Sequence, residues 1–327
     1  MALLVHLLRE IDAAVLAQLR AKLDPSVRLS VGQKSLPQQT DYDILVAGRP
    51  QHEDITVSPN LQALIIPFAG IPQETRALML DFPRIAVHNL HHNAVAAAEM
   101  AISLMLAASK FIVPSDQALR RQNWWPRYGP NPTVILEGRT ALILGYGAIG
   151  QPVARACRGL GMEVMATRRE VDDEVLDVDI YPPEALRSLL PRANVLIVAL
   201  PLTAETEGLI GAEELALLPP EAVLVNVGRG PIIEEEALYR ALRDGGLHAA
   251  GLDVWYSYPK DEASRSQTHP SAYPFHGLDN VVLSPHRAGS GGSKEIERRR
   301  MAHLARLINA AAAGEEMPNR VDLDMGY

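Results

Sequence analysis

Residues 140–164, "TALILGYGAIGQPVARACRGLGMEV", restrict the fold more than any other stretch of the chain. An apolar run turns through Gly145, Gly147 and Gly150 into a helical pattern, and a second apolar run follows. Strand, glycine turn, helix and strand in this order open a doubly wound α/β unit that binds a dinucleotide. Gly145 permits the tight turn, Gly147 lets backbone approach a pyrophosphate, and Gly150 lets the helix pack close to the strand. The helix N-terminus then presents unpaired N–H groups to the phosphates, so the intervening Ala148 and Ile149 join the three glycines as cofactor-binding candidates. The other reading is a tight turn without a ligand.

The second apolar run ends in "VMATRRE". An acid at this distance beyond the glycines would bond the ribose hydroxyls of NAD. Thr167, Arg168 and Arg169 stand there instead. A guanidinium cannot accept a hydroxyl proton but pairs with a 2′-phosphate, which favours NADP over NAD. Asp172 and Asp173 come slightly late for the ribose role. Two solvated surface arginines are the plainer alternative.

The rest of the chain repeats the alternation. "LLVHLL", "DILVAG", "ALIIPFAG" and "IAVHN" read as buried strands in the first hundred residues. "TALILGY", "EVMAT", "VLIVALP", "AVLVNVG", "AAGLDVW" and "VVLSP" read as six more, mostly separated by helical segments. Strands alternating with helices imply parallel sheets. The Pro- and Trp-rich residues 121–139 have no clean period and read as a connector. "AVAAAEMAISLMLAASKFIV" contains Glu99 and Lys110 and is largely alanine, so it reads as a buried helix rather than a membrane span. "SKEIERRRMAHLARLINAAAAGEE" is an amphipathic closing helix.

At 327 residues the chain has room for two domains, and its net charge of −8 argues against a general nucleic-acid binder. The single cysteine, Cys157, allows no internal disulfide and no Cys-based metal site. It fits a reducing compartment, and the N-terminus lacks the pattern of a signal peptide. A cytoplasmic location and no membrane partner are expected.

Six motifs in order, "LGYGAIG", "ALPLTAETEGLI", "VNVGRGPIIEEEAL", "GLDVW", "VVLSPH" and "PNRVDLDMGY", resemble the D-isomer-specific 2-hydroxyacid dehydrogenases. "NAVAAAE" resembles that family's helix entry near the domain junction. The resemblance covers nearly the whole chain and is strongest over residues 140–288. It implies two Rossmann-like domains, flavodoxin-like plus dinucleotide-binding, with parallel sheets. The expected division is a discontinuous substrate domain, 1–100 plus 289–327, around a dinucleotide-binding domain, 101–288. An active site in the cleft, a homodimer, a small 2-oxo or 2-hydroxy acid substrate and a nicotinamide cofactor are implied as well.

Roles carry over by position. Arg229 matches the arginine that binds the substrate carboxylate and polarises the 2-oxo group, a task suited to an always-charged fork of donors. His286 matches the acid/base, and imidazole titrates near the working pH. Asp253 matches an aspartate near the nicotinamide. Ala69 and Gly70 stand where backbone amides hold the substrate carboxylate, and Pro201 and Thr206 match a loop lining the cofactor.

Two features depart from the family pattern. Five positions after Asp253, a glutamate that bonds the catalytic histidine is expected, and Tyr258 stands there before Pro259. A phenol can orient the ring by a hydrogen bond but adds little to its basicity. "VHNLHHNA" is about one residue short and carries His88, His91 and His92; one of them meets the substrate, or all are solvated loop histidines. A metal site is not expected there, since no nearby acid or cysteine completes a ligand set. Two other functions stay open: a formate-type dehydrogenase, and a nucleotide-sensing binding protein on a dehydrogenase scaffold.

Overall fold

The computed structural model describes residues 2–32, 41–170, 178–289 and 291–327. Asp172 and Asp173 lie outside the described residues. The chain divides into two compact units, Met1–Asn93 with Ser290–Tyr327, and Ala94–Gly289. The junction at Asn93 comes before the boundary expected at residue 100, because Ala94–Ser109 is one uninterrupted helix.

The first unit contains β1 (Leu3–Leu7), β2 (Val27–Val31), β3 (Ile44–Val46), β4 (Ala63–Ile66) and β5 (Ala86–Asn89). They form a parallel sheet in the order β2-β1-β3-β4-β5, the flavodoxin-like order. Central strands such as Ala63–Ile66 are buried along their whole length, as a sheet covered on both faces requires. The Lys294–Ala312 helix supplies Met301, Leu304, Leu307 and Ile308 to the core around Val5, Ile44 and Ile65. Beyond it the chain runs against β5: Val321 donates its amide to Val87 O at 2.7 Å, and Arg76 Nε donates to Leu323 O at 2.6 Å.

The second unit contains β6 (Thr140–Leu144), β7 (Glu163–Thr167), β8 (Asp179–Tyr181), β9 (Val195–Val198), β10 (Val223–Asn226), β11 (Ala249–Leu252) and β12 (Val281–Leu283). Their order, β12-β11-β10-β9-β6-β7-β8, is the dinucleotide-binding arrangement extended by one strand. The sheet reverses direction of growth between β6 and β9, and a crevice opens outside the carboxyl ends of strands at such a point.

The alanine-rich Ala94–Ser109 helix packs on this sheet. A Cβ added at Gly251 would stand 2.7 Å from Leu104 Cβ, so the glycine on the sheet allows the close approach. Among the described residues no single helix is long and apolar enough to cross a membrane; this helix and Ile112–Arg120 reach that composition only as a pair bent by 66°. Residues 121–139 do not connect the units. They lie inside the second one, where Val134 and Leu136 are buried while Trp124, Trp125 and Tyr128 are exposed. Breaker residues mark irregular backbone, which need not coincide with a domain boundary.

Candidate active site

The glycine loop follows β6 at the reversal point. Gly145 has φ +98°, and a Cβ on it would come 3.0 Å from Ala199 O at the end of β9. A Cβ on Gly150 would overlap Gly145 O at 2.0 Å, so the helix can start this close only on glycine. Gly147 is exposed with nothing within 4 Å of its Cβ position, and so are its surroundings at Ala148. The loop therefore keeps its backbone open on one side and closed on the other, the shape that admits a pyrophosphate over the Gly150–Gly159 helix N-terminus.

Thr167 at the end of β7 is buried. Its carbonyl accepts from the amides of Gly145 (3.2 Å) and Tyr146 (2.9 Å), and its Oγ1 accepts a long bond from Gly145 N (3.4 Å). It braces the glycine loop from beneath. Arg168 extends the β7–β8 ladder through its amide to Tyr181 O (3.0 Å), with its side chain partly exposed. Arg169 is ion-paired to Glu205 at 2.8 Å. On the facing loop, Thr206 Oγ1 donates to Pro201 O (2.7 Å) and accepts from Thr203 N (2.8 Å), so its hydroxyl sets the shape of that loop.

Arg229 and His286 stand beyond the carboxyl ends of β10 and β12, both exposed. Asn226, buried at the last position of β10, donates from Nδ2 to Arg229 O (3.0 Å) and accepts the Gly228 amide at Oδ1 (3.0 Å). It fixes the backbone that aims Arg229, whose Nη1 here donates to Gly228 O (2.7 Å). The residue was overlooked in the sequence, although a polar residue ending "VLVN" was a visible signal.

His286 has φ +55°, a conformation uncommon for any residue with a Cβ. Asp253 explains how the loop holds it. Its carboxylate is completely buried and accepts hydrogen bonds from Ser284 Oγ, from the Arg287 amide (2.7 Å) and from the Ala288 amide (2.8 Å). Trp255 Nε1 donates to Ser284 O at 2.8 Å. The "DVW" segment thus grips the loop on both sides of His286. Asp253 is wholly enclosed, and its carboxylate holds the loop that carries His286.

Tyr258 lies beside His286, ring centroids 5.5 Å apart and tilted by 56°. Its hydroxyl oxygen accepts the Trp255 amide at 3.0 Å. The expected phenol-to-imidazole hydrogen bond gives way to ring-on-ring packing, because the hydroxyl is turned back toward its own chain. Partial burial lowers the His286 pKa below the ordinary imidazole value, Arg229 lowers it further, and Asp253 opposes both. Burial raises the Tyr258 pKa, so the phenol stays neutral. Tyr258→Phe should therefore cost only a few-fold in turnover, while Tyr258→Ala, which strips the imidazole of its packing, should cost more. Steady-state rates of the two variants check this, and equal effects would show that the ring does not matter.

In the first unit, Ala69 and Gly70 are exposed after β4, and Asn89 Nδ2 holds Ala69 O at 2.7 Å. His88 and His92 are buried, not solvated; His88 Nδ1 bonds Pro318 O at 2.9 Å, which takes it into the contact between β5 and the C-terminal tail.

A parallel sheet of this order, a glycine loop at its reversal point, and a cation and an imidazole beyond the carboxyl ends of two strands of the same sheet define a nicotinamide-dinucleotide oxidoreductase. The family model for the D-isomer specific 2-hydroxyacid dehydrogenase NAD binding domain matches residues 102–288. The chain belongs to the D-isomer specific 2-hydroxyacid dehydrogenase family. Glyoxylate reductase from Aeropyrum pernix is 36% identical over 239 residues, 70% of this chain and 67% of that protein. Glyoxylate reductase from Korarchaeum cryptofilum is 34% identical over 233 residues, 70% of this chain and 66% of that protein. The matched stretch thus spans about two thirds of these relatives. A D-isomer specific 2-hydroxyacid dehydrogenase from Xanthobacter autotrophicus Py2, solved in complex with NADPH and MES, has a TM-score of 0.80 and 26% identity, with 100% of both chains covered.

Proposed function

We propose that this chain reduces a small 2-oxoacid to its D-2-hydroxyacid with NADPH, reversibly. The observation that carries the reading is Arg229 and His286 beyond the carboxyl ends of β10 and β12, within electrostatic reach of each other and in the same sheet as the glycine loop. The loop's open face and the exposed Ala148 fit a dinucleotide, whose nicotinamide, when bound, supplies hydride to the substrate C2. Arg229 leaves its Gly228 contact to grip the carboxylate and polarise the carbonyl. His286 gives its proton to the oxygen that gains negative charge, and takes it back in the oxidation. The glyoxylate reductases among the relatives support a short side chain on the substrate.

Arg168, at the end of β7, is assigned the 2′-phosphate, with Arg169 restrained by Glu205 beside it. The NADPH in the Xanthobacter structure supports this choice, with NAD as the second cofactor. Steady-state assays of glyoxylate, hydroxypyruvate and pyruvate with each cofactor test the reading. Arg168→Ala should raise the KM for NADPH by about tenfold or more, the worth of one charge-assisted hydrogen bond, and leave NADH unaffected. An unchanged cofactor ratio would remove Arg168 from the role. Tight nucleotide binding without turnover of any 2-oxoacid would favour the sensor instead.

The assembly in this reading is a homodimer in the cytoplasm. Trp124 (61% exposed), Trp125 (68%), Tyr128 (72%) and Ile135 (70%) are large apolar side chains open to solvent, the kind of surface a second copy would cover. Light scattering should return twice the chain mass, and Trp125→Asp combined with Tyr128→Asp should return a monomer. A monomeric wild type at working concentration would refute the dimer.

A further inference from the structure

The first unit holds a group of basic side chains that the proposed reaction does not use. His91 and His92 follow β5, and Arg300, His303 and Arg306 lie on the Lys294–Ala312 helix. Arg300 Nε donates to His92 Nε2 at 3.3 Å, and Arg306 Nη2 meets His303 Nε2 at 2.8 Å. A guanidinium can only donate, so each Nε2 must be an unprotonated acceptor. Burial keeps these rings neutral. It lowers His92 to about 4 and also lowers His91 and His303, and neighbouring arginines push the same way. A neutral ring with a free Nε2 lone pair carries its proton on Nδ1.

The Nδ1 atoms of His92 and His303 are both buried without a hydrogen-bond partner among the described residues. His92 as a whole is only 7% exposed. Two N–H donors are therefore orphaned in one group, where an unmet donor is costly. The local charge points the same way. Glu297 pairs with Arg300 at 2.9 Å, leaving two guanidiniums against one carboxylate. A cation is excluded by this chemistry, because each Nε2 lone pair is taken by an arginine and each Nδ1 carries a proton. A water could accept from one donor but would leave the charge unbalanced. An oxyanion does both. Arg306 is exposed to solvent and also lines an open hollow of about 500 Å³ together with Lys22 and Glu315.

We propose that His92, His303, Arg300 and Arg306 form a binding site for a small oxyanion, phosphate or carboxylate, that does not involve Arg229. The test is a titration of the full chain, ¹⁵N-labelled at histidine, with inorganic phosphate, following ring nitrogens in long-range ¹⁵N–¹H spectra. Without phosphate, His92 and His303 should show the Nδ1–H tautomer. With phosphate, both should shift saturably at one midpoint. A parallel titration with acetate separates the sources: an equal response identifies any small carboxylate, and a response to phosphate alone identifies phosphate.

His92→Gln keeps an acceptor for Arg300 and an N–H donor, and should preserve the His303 response. His92→Leu should weaken the midpoint by about tenfold or more, one charge-assisted bond's worth. Arg306→Gln, on the exposed side, gives the same test should His92→Leu fail to fold. Arg229→Gln should change nothing at these rings. Shifts that do not saturate, rings in the Nε2–H form, or a midpoint indifferent to His92→Leu and Arg306→Gln would overturn the site.

Discussion

His286→Gln should lower the rate of 2-oxoacid reduction by about 10²–10⁴-fold, the usual worth of a positioned general acid, and leave the dissociation constant for NADPH nearly unchanged. Glutamine keeps polarity and size but has no proton to give at neutral pH. The pH profile carries a second signature. Reduction needs the imidazolium, and burial followed by the Arg229 charge holds the His286 pKa below 6.5. The wild-type kcat/KM for reduction should thus be highest on the acid side and fall as pH rises through that lowered pKa. Oxidation, which needs the neutral ring, should show the opposite limb. Both limbs should vanish in His286→Gln. A variant that retains the wild-type rate, or the same limb, would end the assignment. The missing glutamate matters here: with a phenol beside it and Asp253 as the opposing carboxylate, the imidazolium has little to raise its pKa.

The second large effect is expected at Asp253. In Asp253→Ala the Arg287 and Ala288 amides and the Ser284 hydroxyl lose their acceptor at once. Ser284 can rotate to another partner, but each stranded amide costs about 1–3 kcal/mol. The φ of +55° at His286 is itself uphill and persists only while its surroundings enforce it. Thermal unfolding should show the loss of stability, and kcat should drop toward that of His286→Gln. NADPH affinity decides between the two roles of Asp253. An unchanged dissociation constant marks a residue acting through the loop, whereas a large rise would mark a cofactor contact. Asp253→Asn, which keeps one carbonyl acceptor, should recover part of both losses. Wild-type melting and turnover in Asp253→Ala would contradict the loop-holding role.

Much of the architecture was legible because buried parallel strands leave uninterrupted apolar runs. "ALII", "VLIV" and "VLVN" could be read directly, and the observed strands occupy them. The two strands that escaped notice are edges. "VRLSV" alternates with Arg28 and Ser30 because one side of β2 faces solvent, and "DIY" is three residues long. The glycine loop was legible because steric demands at Gly145 and Gly150 leave no other residue type. The grip of Asp253 was not, since its partners are backbone amides 34 and 35 residues away, and an amide carries no residue identity. The same reason hid the turn of the Tyr258 hydroxyl toward Trp255 N. The histidines after β5 looked like loop residues because Arg300, which fixes the tautomer of His92, is 208 residues further along.

The discontinuity of the first unit sets an order of events during biosynthesis. Its core around Val5, Ile44 and Ile65 needs Met301, Leu304, Leu307 and Ile308, which a ribosome reaches only after it has made the whole Ala94–Gly289 unit. The Ala94–Gly289 unit is continuous and can close as soon as its last strand emerges. The opening 93 residues therefore wait, with apolar surface uncovered, until the Lys294–Ala312 helix arrives. Of the two units, the one whose first segment is made earlier is the one completed later.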